Sequence, residues 1–237
     1  MEKFHEIELR ISRCLTRFRR LRRNNPRIRP FVVELLGTPK SGKTTIAEAI
    51  EHTLKRNDGI VTARPEGATV VDRVKRDTPH YNLETCRYAL SEVTQRLESD
   101  LDLIILDRGL MDGMIWMEYW QKRGDLSEDD YAKAIAFYGM EIFRDLFDLH
   151  VLLVCEPEVA MQRELAKRRS KKDGDTMNLG TIQKLRGYHD NLWTRLDGNS
   201  DHRMSMHDSS RETSEETLDV VLAHMADVFE RRLVGLK

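Results

Sequence analysis

No stretch of the 237 residues approaches the roughly 20 consecutive apolar residues that a membrane-spanning helix needs. The first 30 residues are broken by charge throughout, unlike a secretory leader. Cysteine is scarce. Cys14, Cys86 and Cys155 form no CxxC and cannot all pair, which excludes a disulfide framework and predicts a reducing, cytoplasmic setting. The eight histidines show neither HExxH nor Cys/His ligand spacing, so a dedicated zinc site is not expected. Internal repeats and low-complexity linkers are also missing, which excludes a solenoid or a long disordered tether.

Charge is abundant instead, at 33% of residues against a hydrophobic fraction of 40% that can still build a core. The net charge of -1 hides an asymmetry: residues 1–30 hold ten Lys/Arg against three Glu, a net +7, which leaves -8 for residues 31–237. The arm has its own pattern. Phe4, Ile7, Ile11, Cys14, Phe18 and Leu21 recur at spacings of three and four, a narrow apolar seam with arginines around it. It predicts a helix ending before Asn24, Asn25 and Pro26. Such a helix can pack on the body or on a second copy, giving a homo-oligomer. It can also grip nucleic acid, or lie on a membrane surface. The only aromatic residues it offers, Phe4 and Phe18, sit on the apolar seam, which disfavours nucleic acid.

Beyond residue 30 the rhythm alternates. Apolar runs at 31–36, 60–63, 101–106 and 149–154 predict strands, and a short fifth strand is expected near 203–206. Helices are predicted over 44–57, 83–99, about 111–123, about 127–146, 157–169, about 179–196 and about 214–233. Buried strands alternating with helices predict a parallel sheet covered on both faces.

Directly after the first strand stands "GTPKSGKTT", in which Gly37, four residues, Gly42, Lys43 and Thr44 reproduce the P-loop spacing between a strand and a helix. The glycines let consecutive N–H groups surround a phosphate, and the helix N-terminus adds partial positive charge. Thr38, Pro39, Lys40 and Ser41 fill the span, and Thr45 follows it. Lys43 is expected on the phosphates and Thr44 on Mg²⁺. Lys40 is either a further phosphate contact or a solvated cation.

Three other stretches decide where the phosphate goes. "ARPEG" follows the second strand and puts Arg64 and Glu66 at the rim where an acceptor lies in an open α/β sheet, Arg64 for an anion and Glu66 as base or anchor. Asp107 ends the third strand, where a metal-orienting acid belongs, and Arg108 follows it. An arginine in that place suits charge neutralisation in phosphoryl transfer better than activation of water. Further on, Arg163, Arg168 and Arg169 head a basic segment over about 163–178, a candidate lid that can exclude water and supply a cation. Asp112 either lines the acceptor pocket or caps the helix beginning there.

From about residue 31 to 233 the chain resembles the P-loop kinases of the nucleoside and nucleoside-monophosphate kinase group, such as thymidylate kinase and the deoxynucleoside kinases. The loop at 37–44, the cluster Arg64, Pro65 and Glu66, Arg87 in the next helix, the Asp107–Arg108 pair, "CEPEVAMQRELAKR" and "MHDSS" carry the likeness. "DRGLMDG" is also similar to ATP-binding domains related to nicotinamide riboside kinase. The resemblance implies strand order 2-3-1-4-5. It also implies a metal-and-phosphate role for Asp107 and Arg108, an arginine-bearing lid after the fourth strand, and an adenine-side turn at Asp208 and Ser209. It adds Arg87 to Arg64 as a candidate for binding an acceptor anion. The order Arg64, Pro65, Glu66, Gly67 departs from both kinase patterns, so the acceptor does not carry over.

These readings together predict a three-layer α/β/α P-loop domain over 31–237 behind a basic helical arm over 1–30. The expected activity is Mg²⁺-dependent transfer of the γ-phosphate of ATP to a nucleoside, nucleotide or related metabolite. A regulatory P-loop NTPase or nucleotide-gated binding module is the alternative, and a polynucleotide 5′-hydroxyl kinase the third.

Overall fold

The computed structural model describes residues 4–167, 177–197 and 203–236. Five strands, β1 (Phe31–Gly37), β2 (Val61–Arg64), β3 (Leu103–Asp107), β4 (Leu149–Val154) and β5 (Met204–Asp208), pair in parallel in the order β2-β3-β1-β4-β5. The predicted order and architecture are both observed. β1 and β3 are buried at every position, as strands covered on both faces must be.

Alternation along β1 sorts the core. Phe31, Val33 and Leu35 pack with the helices α1 (Phe4–Asn24), α2 (Lys43–Arg56) and α10 (Ser214–Gly235). Val32 and Leu36 face the other layer. There α4 (Pro79–Thr94) and α5 (Leu110–Arg123) pack under β1 and β3, and α9 (Leu179–Asp197) lies nearer β4. Between these elements run α3 (Gly67–Val70), α6 (Glu128–Tyr138), α7 (Glu141–Arg144) and α8 (Pro157–Lys167).

Three boundaries differ from the sequence reading. Helix α4 begins at Pro79 because the Thr78 hydroxyl accepts the Tyr81 N–H and proline fits the first turn. The helix expected over 127–146 is two helices, divided where Gly139 ends α6 and Met140 turns to extended ψ. The single turn of α3 has too few residues to show a period.

The arm is part of the core. Ile7, Ile11, Cys14, Leu15 and Phe18 of α1 are buried against α10, with the Phe18 ring 5.3 Å from that of Phe229. Burying each of these large apolar side chains contributes about 1.5–3 kcal/mol. The seam is thus occupied within the chain rather than by a second copy. Arginines tie the arm to the edge of the sheet where strands begin. Arg19 donates to Asp102, just before β3, and to the Asp58 carbonyl, just before β2. Arg29 and Arg232 converge on Asp148, just before β4. Among the described residues no helix is long and apolar enough to cross a membrane.

Candidate active site

Parallel strands all end at one edge, and the segments that follow them meet there in a cleft of about 860 Å³. The loop after β1 forms its floor. Glu66 and Gly67, then Arg76, Tyr81, Asn82 and Thr85, follow β2 along one wall. Arg108, Gly109, Asp112, Gly113 and Trp116 follow β3. Arg163 and Glu164 follow β4, and Ser209, Glu212, Thr213, Ser214 and Thr217 follow β5. Because β2 and β3 lie on one side of β1 and β4 and β5 on the other, the segments after β2 and β3 line one side of the phosphate loop and those after β4 and β5 the other.

The loop needs its glycines. Gly37 has φ +137°, and a Cβ there would lie 1.7 Å from the Leu153 carbonyl oxygen, so β1 could not pass β4 with any side chain at this point. Gly42, at φ +96°, leads into α2. Lys40 takes the same left-handed region without being glycine, at φ 60°. The residue lines the cleft, and its ammonium pairs with Glu164 at 2.7 Å. Gly37 and Thr38 shape the loop from behind, with the Thr38 hydroxyl accepting the Cys155 N–H at 3.0 Å. Pro39, Ser41, Thr44 and Thr45 line the cleft as expected.

Lys43 is buried and curls back onto the loop, donating to the Gly37 and Thr38 carbonyls at 3.0 and 2.7 Å. Burial, reinforced by the nearby charge of Arg108, pushes its ammonium down to about 8. A triphosphate would replace two neutral carbonyls with full negative charge.

The Thr44 hydroxyl donates to Asp107 Oδ2, and Asp107 Oδ1 is buried with no hydrogen-bond partner. Burial raises the Asp107 carboxyl, against the opposing pull of Lys43. A hydroxyl beside an under-satisfied carboxylate is an oxygen-only donor set. It suits Mg²⁺, which takes few protein ligands and keeps waters and phosphate oxygens.

Arg108 lies where β3 ends, beside the phosphate loop. Its backbone is left-handed, at φ 69°, and its N–H donates to the Leu35 carbonyl at 2.9 Å. The guanidinium bridges Glu66 and Asp112, the latter at 2.7 Å, and stacks near the Trp116 ring. Burial opposes its charge, yet Asp112 and Glu66 hold it above the ordinary arginine range. Burial also works against the Asp112 carboxylate, but Arg108, then His189 and Lys43, keep it well below the usual range. Asp112 is therefore a pocket residue rather than a cap. Its other oxygen accepts the Gly37 N–H at 3.0 Å. His189 on α9 stands 3.8 Å away, its other ring nitrogen on the Leu185 carbonyl.

Two expected acceptor arginines lie elsewhere. Arg64 turns away to Glu92 on α4, a buried carboxylate that requires a cation. Arg87 is 70% exposed and pairs with Glu84 at 2.8 Å, because its neighbour Cys86 takes the inward face of α4. Asp208 also stays out of the cleft. It pairs with Arg186 at 3.4 Å and accepts the Ser210 N–H, while Ser209 lines the cleft. Arg163 fastens the phosphate loop to the turn after β5, donating to the Lys40 carbonyl and to the Ser209 hydroxyl, each at 2.9 Å. Arg168, Arg169 and most of the expected lid lie outside the described residues.

The sequence reading missed Tyr81, Asn82, Thr85 and Trp116, which form the wall opposite the phosphate loop. Trp116 was findable, since Gly109, Asp112, Gly113 and Trp116 fall on one helix face.

No family model matches the chain, and no curated protein matches it by sequence. Solved structures do. A deoxyadenosine kinase from M. mycoides with products dCMP and a flexible dCDP bound aligns with a TM-score of 0.61 at 16% identity, over 83% of this chain and all of that one. The same enzyme with bound dCTP aligns with a TM-score of 0.58 at 17% identity, over 83% of this chain and 100% of that one. With bound dATP it aligns with a TM-score of 0.57 at 17% identity, over 82% and 98%. At these identities the likeness establishes the P-loop kinase fold.

Proposed function

We propose that the chain is a Mg²⁺-dependent kinase that moves the γ-phosphate of ATP to a small acceptor, a nucleoside, nucleotide or related metabolite. The observation that carries this reading is Arg108. It follows the metal-side acid at once and is held by Glu66 and Asp112 beside the phosphate loop. A water-activating NTPase would carry at that place a group that orients water rather than an arginine. The wall of Tyr81, Asn82, Thr85 and Trp116 offers an aromatic face and polar edges, as a flat heterocycle requires.

In this reading the loop amides and Lys43 take the β- and γ-phosphates, and Thr44 and Asp107 hold Mg²⁺, which neutralises phosphate charge when bound. The acceptor oxygen attacks the γ-phosphorus while the bond to the β-phosphate oxygen breaks. Glu66 takes the proton of an acceptor hydroxyl, and Arg108 exchanges a carboxylate for the transferring group. Arg163, fixed between the loop and Ser209, orients the donor. The kinase relatives of known structure, deoxyadenosine kinases with bound nucleotides, support the same reading. A polynucleotide strand held by the arm would lie along the opposite edge of the sheet, which leaves the arm no part in this chemistry.

The test incubates the full chain with Mg²⁺, γ-labelled ATP and a mixture of nucleosides and nucleoside monophosphates. Label on an acceptor supports transfer. Label on free phosphate alone supports the regulatory NTPase instead.

A further inference from the structure

A carboxylate in the middle of a central strand costs free energy to bury, and Glu34 of β1 is fully buried, in register between Leu106 of β3 and His150 of β4. Its partners satisfy one oxygen by a hydrogen bond and leave the other beside a histidine without one. One oxygen accepts the Asp112 N–H at 3.0 Å, and the other lies 3.2 Å from His150 Nδ1. Asp112 stands in the first turn of α5, whose N-cap, Gly109, has no side chain to offer that turn. Glu34 thus supplies from the sheet the acceptor that a capping side chain normally supplies locally, and it puts negative charge at the positive end of the helix dipole.

The same side chain shapes the turn before the helix. A Cβ on Gly109 would come within 2.7 Å of the Glu34 carboxyl carbon, so the chain at Gly109 rests directly on it. Immediately before lies Arg108 in its left-handed conformation, anchored to the Leu35 carbonyl. Two adjacent residues of β1 therefore hold the 107–112 turn, Leu35 by its carbonyl and Glu34 by its carboxylate.

We infer that Glu34 is a positioning residue for phosphoryl transfer, seating the turn so that the Arg108 guanidinium and the Asp112 carboxylate meet above the phosphate loop. This rests on the kinase reading of Arg108. Glu34 does not itself line the cleft.

The test uses the full chain, γ-labelled ATP and the same mixture of nucleosides and nucleoside monophosphates. Glu34→Ala lowers kcat about tenfold to a hundredfold through misplacement of Arg108, while the KM for ATP changes less, because Glu34 reaches the phosphate loop only through the Asp112 bond to the Gly37 N–H. Glu34→Gln keeps an acceptor oxygen and recovers most of the loss. A merely structural Glu34 would lower the thermal midpoint and leave kcat of the folded protein unchanged in both variants, which overturns the inference. Gly109→Ala approaches the same contact from the other side, and keeps the test alive if Glu34→Ala fails to fold. Its methyl displaces the turn and lowers kcat, and an unchanged kcat again overturns the inference. Arg108→Ala separates the two levels. If it is impaired while the Glu34 and Gly109 variants are not, only the positioning role falls. If Arg108→Ala turns over normally, the transfer role of Arg108 falls first and takes the inference with it.

Discussion

Both edges of the sheet are built from arginines and carboxylates, and they use them differently. At the edge where strands begin, Asp102 accepts both Arg19 and the Ile60 N–H, and Asp148 accepts Arg29, Arg232 and the Val32 N–H. Their bonds go to the chain itself, to strand ends and to the arm. At the edge where strands finish, satisfaction is incomplete or borrowed. Asp107 leaves a buried oxygen bare, and Lys43 spends its protons on loop carbonyls. Arg108 is held by two carboxylates at the rim of the cleft. A structural ion pair leaves nothing to exchange, whereas a working one keeps partners that a ligand can replace.

Breaking the working edge gives the largest effect. Lys43→Ala lowers turnover by about a thousandfold and leaves the thermal midpoint nearly unchanged, because its bonds are to loop carbonyls rather than to the core. Retained turnover in labelled-ATP assays would remove the phosphate loop from the mechanism. Breaking the structural edge does the reverse. Asp102→Ala strands the Ile60 N–H and loosens the partly exposed Arg19, and costs about 1–3 kcal/mol of stability, with kcat of the remaining folded protein intact. Denaturant unfolding beside an activity assay separates the two outcomes.

A gentler probe is pH. Lys43 sits near 8 in the free protein, and bound phosphates would raise it by restoring favourable charge. The affinity for ATP is therefore full below about 8 and falls as the pH rises through it. Calorimetry in buffers of different ionisation enthalpy should show proton uptake on binding near that pH, and no uptake would contradict the charge state assigned to Lys43. The smallest effect belongs to Arg87→Ala. Its exposed pair with Glu84 predicts a stability change within about 0.5 kcal/mol and an unchanged acceptor KM, and a raised KM would restore it to the acceptor site.

The strand order came from the resemblance to P-loop kinases, but the strands and the phosphate loop were legible because their rules are local: apolar runs, glycine spacing, a strand before and a helix after. Asp107 and Arg108 were legible for the same reason. Arg64 and Arg87 were misread because a side chain at the rim of a sheet has several directions open to it. The choice was made by Glu92 and Glu84, through pairings that spacing along the chain does not reveal. Asp112 was left between pocket and cap for a related cause, since its partners at residues 37, 108 and 189 meet only in the folded chain. The arm was half legible. Its seam announced a helix, but only the fold shows that α10 covers it.

Asp112 also links the two halves of the cleft. One oxygen accepts from the first glycine of the phosphate loop and the other from Arg108, so one carboxylate is shared by the loop and the turn after β3. In the proposed kinase, an acceptor that drew Arg108 away would strengthen the pull of Asp112 on the Gly37 N–H, and a triphosphate that shifted Gly37 would change the charge that Asp112 presents to Arg108. The two ligands then carry a common coupling free energy, and each alters the dissociation constant of the other by the same factor.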